Sequence, residues 1–427
     1  MHPNRSFTFS CLALVMLLGL GGQAFASIVA AGTNPACKPS LVHFATIQLA
    51  VNAVPGGSTV DVCPGTYPEQ VVINKNLTLQ GIADAGQDAA VIVAPGGGLV
   101  QNTSSLATGN PIAAQILVQA PATSVKLSNL TVDGSNNRIT GGCGVPDPIG
   151  IYYQNASGAV SRASVLNEVL GAGLTGCQAG LGIFVQSGGG GTSTVSITSS
   201  NVENYQKNGI TGNEAGTTVT IKANTVIGQG STSGAAENSI QIGFGATGTI
   251  SGNTVGSDVW APDVFGDTGN AAAGLLVYAS QNVTITSNNV NNTQFGIALA
   301  GDPSSGSADH NVVTKNTVSA THLYDGIDLC GSNNTASSNI INGSDESGVH
   351  IDDTCTGSAA SDTASFNTIN SACAGILIGP SASSPTTLSN TYSNVGTLQL
   401  SGTDTCTPAL KPVKKSAVAK ALSPARP

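Results

Sequence analysis

A short unit, apolar-x-x-Asn-x-Val/Ile, recurs through the second half of the chain and constrains the fold more than any other feature. It reads Ile221-Lys-Ala-Asn224-Thr-Val226, Ile250-Ser-Gly-Asn253-Thr-Val255, Ile285-Thr-Ser-Asn288-Asn-Val290 and Val313-Thr-Lys-Asn316-Thr-Val318. It continues as Ala336-Ser-Ser-Asn339-Ile-Ile341 and Ala364-Ser-Phe-Asn367-Thr-Ile369, with a weaker copy ending in Asn201-Val202. A second unit, Gly-apolar-x-apolar, falls between these copies: Gly274 to Val277, Gly296 to Leu299, Gly326 to Leu329, Gly348 to Ile351 and Gly375 to Ile378. Gly274 to Gly296 and Gly326 to Gly348 are both 22 residues, and Gly348 to Gly375 is 27. Alternating apolar residues face one side of a strand. Strands this short cannot bury a face alone, so stacking coil upon coil is the way they share a core. An Asn at one turn position in every coil is then set to bond the next Asn along the axis. The expectation is an all-β chain, a single-stranded right-handed parallel β-helix over 37–405.

Composition agrees with a solenoid. There are 54 Gly, only 9% charged and 4% aromatic residues, poor in what a compact α/β enzyme uses. His43–Val54 carries Phe44, Ile47, Ala50, Val51 and Val54 at helical spacing, a helix to cap the open end of the first coil. Strands are expected at Thr59–Val62, Gln70–Ile73 and Leu77–Leu79, and loop-rich coils over 95–115 and 135–150.

Both ends of the chain read differently. Residues 1–26 have Arg5, an apolar run from Leu12 to Leu20 and Ala24-Phe25-Ala26 before Ser27, the pattern of a cleaved export signal. That run is too short for a membrane anchor and no later segment could span a bilayer, so the expected product is secreted, extracellular or periplasmic. Residues 406–427, with Lys414-Lys415 and no apolar period, are expected to be a disordered basic tail. Without Cys11 the chain keeps eight cysteines, an even number suited to disulfides in an exported protein. A solenoid keeps near-sequence residues close, so the expected pairs are Cys37 with Cys63, Cys143 with Cys177, Cys330 with Cys355 and Cys373 with Cys406. No CxxC pair favours thiolate metal binding.

The formal charge of −9 argues against nucleic acid as partner. Between Lys222 and Lys411 the only Lys or Arg is Lys315, against fourteen carboxylates. That half attracts cations and repels polyuronates unless a metal bridges them. The expected partner is a polysaccharide, and the expected state a monomer.

The opening Phe44 to Pro55 followed by Cys63-Pro-Gly-Thr-Tyr-Pro-Glu69 resembles the start of pectinesterase-like β-helix proteins. The Gly-Ile and Asn-x-Val repeats resemble the parallel β-helix repeats of the pectin-lyase-like superfamily, and are similar to periplasmic β-helix proteins of copper-enzyme maturation. Together these cover most of residues 40–400 and speak for the fold more than for the activity.

Residues at equal offset from each Gly lie about 4.8 Å apart along the axis. Two positions on, the outward row reads Leu276, Ala298, Asp328, His350 and Leu377; four on, Tyr278, Ala300, Cys330, Asp352 and Gly379; just before, Ala273, Phe295, Asp325, Ser347 and Ala374. Asp325, Asp328, Asp352 and His350 thus converge on one outward patch as candidate catalytic residues. Asp345, Glu346 and Tyr324 are candidate substrate contacts. Asp353, with Asp325, Asp328 and Asp352, is a candidate Ca²⁺ ligand. Asp325-Gly-Ile-Asp328 followed by Asp345-Glu346 resembles the paired-acid region of polygalacturonases, which implies two acids inverting a glycosidic bond at about 6.5–9.5 Å separation. The pairs with that expected separation are Asp328 with Asp352, or Asp325 with Asp345. A crowd of carboxylates raises the pKa of the acid member by mutual repulsion.

Two features of that family are missing. Its Gly-His-Gly reads Cys373-Ala374-Gly375, and its Arg-x-Lys has no counterpart, so a neutral glycan suits the site better than polygalacturonate. β-Elimination has only Lys315 as a base. Pectin methylesterase chemistry is excluded, because no Arg lies between Arg162 and Arg426 and Trp260 is the only Trp. The hydrolase reading needs no cofactor. Its rival is a non-catalytic periplasmic or cell-surface protein binding glycan or Ca²⁺, and the plainest alternative is a solvated acidic face with an inert histidine.

Overall fold

The computed structural model describes residues 26–34, 36–84, 87–88, 90–261, 271–406 and 425–427. The expected export signal, up to residue 25, and residues 407–424 of the expected loose tail lie outside the described residues.

Each coil contributes three short strands. In one these are Thr284–Thr286, Asn289–Thr293 and Phe295–Ala300, and they pair in parallel with Val312–Thr314, Thr317–Thr321 and Ile327–Cys330 of the next. The first strand of each coil adds to a sheet of 14 strands. The second and third build two stacks, which merge into one sheet of 22 because Ile340–Ile351, Thr368–Ile378 and Thr391–Ser401 run through both. This is the repeat predicted from the sequence. The interior is a set of apolar columns such as Ile250, Ile285 and Val313 or Val255, Val290 and Val318, all buried.

The Asn column forms as expected. Asn224, Asn253, Asn288, Asn316, Asn339 and Asn367 each donate from Nδ2 to Oδ1 of the next, the last acceptor being Asn390, at 2.9–3.0 Å. Each backbone N–H points to the same oxygen. The residue just before the Asn sits at φ near +57°, at Ser287, Lys315, Ser338 and Phe366 alike. That left-handed step turns the strand, and the Asn amide then satisfies the buried backbone groups the turn leaves open. Asn201 is not in the column. Ser200 holds the first position, its N–H bonding Asn224 Oδ1.

The coil starts at Ile28–Ala31, which pairs with Ser58–Val62, and not at Cys37. Four residues without a repeat unit give no periodic signal, so only pairing places them. The capping helix is Ile47–Ala53, shorter than His43–Val54. His43–Phe44 pairs as a strand with Ala30 and Ala31, and Thr46 caps the helix through its Oγ1, which accepts from the Leu49 N–H. The Glu69 carboxylate accepts from Ile47 and Gln48 N–H at 2.8 and 2.9 Å, where the helix dipole favours negative charge.

All four disulfides join the expected neighbours, 25 to 34 residues apart. Among the described residues no helix is long and apolar enough to cross a membrane.

The glycines of the second unit are required by close approach. A Cβ on Gly326 would lie 2.6 Å from Ile341 Cγ2 and 2.8 Å from the Gly348 carbonyl oxygen. Gly326→Ala is therefore expected to cost about 1–3 kcal/mol, as overpacked cores do, read as a lower urea midpoint. An unchanged midpoint would refute this steric account.

Candidate functional site

The register brings the acids together as the spacing implies. Asp328 pairs laterally with Ala298 on one side and His350 on the other, and His350 with Leu377. Ile327 and Leu329 point into the core, so Asp328 and His350 point to the opposite side of the strand. Asp325, at the preceding turn, is held by Ser347, whose N–H and Oγ–H donate to its Oδ1 at 3.1 and 2.6 Å. Its Oδ2 lies 3.3 Å from His350 Nδ1. Asp352 accepts from Thr354 N–H and Oγ–H at 2.8 and 2.9 Å. One polar atom each of Asp325, Asp328 and His350 lie within 4.8 Å of one another, and so do those of His350, Asp352 and Asp404. Neither expected acid pair, Asp328 with Asp352 nor Asp325 with Asp345, falls within one of these groups.

The patch is not a solvated face. Asp328 is 0% and His350 1% exposed, and Asp325, Glu346, Asp352 and Asp353 are buried too. Around them, Tyr324 stacks on Phe295 at 4.3 Å, the Cys330–Cys355 disulfide lies beside Asp352, and the Cys373–Cys406 bond pins the chain after the last strand. There the Cys406 N–H donates to Glu346 Oε1. Both oxygens of Asp328 and Nε2 of His350 have no hydrogen-bond partner, an expensive arrangement for buried polar atoms.

Burial, and second the neighbouring Asp352, pushes the Asp328 carboxyl well above the carboxylate range; Glu346 rises for burial and the nearby Asp325. Burial also raises Asp352, against the opposing pull of His350. Removal from water, rather than the repulsion expected from the sequence, is the larger cause. For His350 burial acts downward, but Asp352, Asp325 and Asp328 outweigh it and hold the imidazolium well above its ordinary range.

The remaining candidates separate. Asp345 is exposed, accepts from the Leu323 N–H and lines an open cleft of about 570 Å³ with Ser344, Ser371, Cys373, Asn394 and Cys406. Tyr324 packs on Phe295 instead of presenting its ring to a ligand. Asp353 accepts from the Ser381 N–H and is in neither three-residue group. Asp404 joins the site from beyond the last strand, where no repeat unit marks it.

A second buried group was not read from the sequence. Lys207 donates to the Ala236 carbonyl, and Asp258 accepts from the hydroxyls of Tyr205 and Ser239. Burial lowers Lys207 to about 7 and raises Glu237 to about 9 and Asp258 to about 7. Lys207 and Glu237 precede the paired residues Asn208 and Asn238, which is the signal that could have found them.

Of the tail expected to be loose, Cys406 is fixed by its disulfide, and Ala425–Pro427 lie on the outer face. Gln241 bonds both N–H and C=O of Ala425, and Glu214 holds Arg426 at 2.9 and 3.0 Å.

A family model described as periplasmic copper-binding protein (NosD) matches residues 261–403. The chain is similar to the mannuronan C-5 epimerase AlgE4 A-module of Azotobacter vinelandii, with TM-score 0.54, 13% identity, and 83% of this chain and 92% of that one covered. It is also similar to the GH136 lacto-N-biosidase of Eubacterium ramulus, at TM-score 0.58, 11% identity, and 88% and 68% coverage. The Dettilon tailspike protein is similar at TM-score 0.51 and 12% identity, with 79% and 62% covered. No curated protein matches the chain.

Proposed function

Since the chain is a right-handed parallel β-helix of the pectin-lyase-like type, we propose that it is an exported protein acting on or binding polysaccharide. Asp325, Asp328, Asp352 and His350 form the chemical centre, and Asp345 stands in the adjoining cleft. The observation that carries the reading is Asp328, stacked one rung from His350 with both oxygens unpartnered. With the outer face opened to a glycan, a carboxyl kept protonated by burial is able to give its proton to a glycosidic oxygen, while a neighbouring carboxylate takes one from water. Four disulfides suit an oxidising compartment outside the cytoplasm. Two structures of the same fold bear sugar-directed names, an epimerase of mannuronan and a lacto-N-biosidase. A neutral glycan fits better than a polyuronate, because the site is rich in carboxylates and no lysine or arginine lies between Lys315 and Lys411 in the sequence. Glycoside hydrolysis fits better than elimination for the same reason.

The enclosure of the centre favours a second reading, a non-catalytic periplasmic or surface protein that binds glycan along its rungs. Reducing-sugar release over a panel of neutral polysaccharides separates the two. Under the hydrolase reading, Asp328→Asn is expected to reduce release at least about 100-fold, the scale of lost acid–base catalysis. Its melting temperature is expected to stay equal or rise, since a buried unpaired carboxyl is removed. Retention in a polysaccharide gel without release supports the binder. Neither release nor retention would end both.

A further inference from the structure

We propose that the buried group around His350 holds one divalent transition-metal ion. Two three-residue groups of potential ligands share His350, one with Asp325 and Asp328 and one with Asp352 and Asp404; His350 Nε2 is the common ligand, Asp328, Asp352 and Asp404 offer the oxygens, and Asp325 stands behind the ring at Nδ1. Acidic clusters are common without ions. Here a separate observation points to one: both Asp328 oxygens and His350 Nε2 are fully enclosed and face no donor or acceptor. The Asp325 contact to Nδ1 fixes the imidazole ring and leaves Nε2 open, the arrangement in which a carboxylate orients a metal-bound histidine. Burying three carboxylates around a single imidazole leaves negative charge uncompensated, and a dication supplies it.

The donor set selects the ion. Calcium takes six to eight oxygens, whereas one imidazole with two or three carboxylates suits Zn²⁺, Cu²⁺ or Mn²⁺. This moves the site away from the Ca²⁺ expected from the acids alone, and away from Asp353. A soft Cu(I) site does not fit either. The eight cysteines of the described chain are in disulfides, and the only methionines are Met1 and Met16.

The test uses the full exported chain, produced and dialysed with Zn²⁺, Cu²⁺, Mn²⁺ and Ca²⁺ at equal concentration. Metal content is then measured by mass spectrometry. The expected result is about one transition ion per chain, lost in Asp328→Asn and His350→Gln and kept in Glu203→Gln, whose carboxylate is exposed far from the site in sequence. Melting of the wild-type chain gives a readout that does not depend on the variants folding: the preferred ion is expected to raise the midpoint and chelation to lower it. Uptake of calcium alone, no ion above background, or equal uptake by His350→Gln would overturn the proposal, protons then being what neutralises the group. The inference shares residues with the proposed glycan site but not its reaction. Metal content can fail while glycan release succeeds, and the converse.

Discussion

Raising the pH from about 4.5 to about 7.5 is expected to lower the melting temperature by several degrees, the reverse of ordinary acid denaturation. The cause is a set of buried carboxyls. Burial raises Asp147 to about 7, and Asp362 and Asp258 likewise to about 7; Glu168, also by burial, lies well above its ordinary range. Each native carboxyl keeps a proton that the unfolded chain has released, so stability falls with pH wherever the native state binds more protons. The contribution is fully present below about pH 4, the unfolded carboxyl range, and is lost as pH rises through about 7. For the fully buried Asp147 this is on the order of 4 kcal/mol. The raised His350 acts in the same direction. Lys207, lowered by burial to about 7, acts oppositely but only above that pH, where the unfolded lysine is charged and the native one is not. Calorimetry across the window checks the sign. Asp147→Asn, which keeps an acceptor for the Gly180 N–H, is expected to flatten the slope. A melting point that climbs from acid to neutral would refute the account.

Replacing Asn316 by Ala is expected to destabilise the coil by about 3–5 kcal/mol, the sum of two or three buried groups left unpaired at about 1–3 kcal/mol each. Its Oδ1 accepts from both the N–H and Nδ2 of Asn288 at 2.9 Å, and its own Nδ2 reaches Asn339 and the Ile285 carbonyl. Neither Asn288 nor Asn316 has water to turn to. Asn390→Ala, at the half-exposed end of the column, is expected to cost about 1 kcal/mol, the worth of an ordinary hydrogen bond. Urea unfolding with the disulfides intact measures both. Equal midpoints for the two variants would mean that the ladder does not carry stability in its interior.

Much of this molecule is legible in the chain because a solenoid turns sequence distance into spatial distance. Asp328 beneath His350, the Asn column and the four cystines all follow from a period of two dozen residues. What the period leaves open is the outside of the coil. Strand alternation puts Asp328 and His350 on the outer side, yet both are buried, and the chain at Cys406 bonds the neighbouring Glu346. Asp345, adjacent to Glu346 in sequence, points away into the open cleft while Glu346 turns inward. The Lys207, Glu237 and Asp258 group is hidden at the level of sequence because polar residues on a strand are expected to be exposed unless something shows what covers them.

By itself the sequence determined the lateral register, since a slip of one residue would turn every Ile and Val of the repeat to the outer side of its strand and a slip of two would break the Asn column. It therefore determined which side chains are neighbours along the axis. The tertiary structure alone decided which of those neighbours lose water, because that depends on turns and termini from distant coils, which obey no period. In this protein that second decision turns a row of acids into a buried centre with Asp404 as a member.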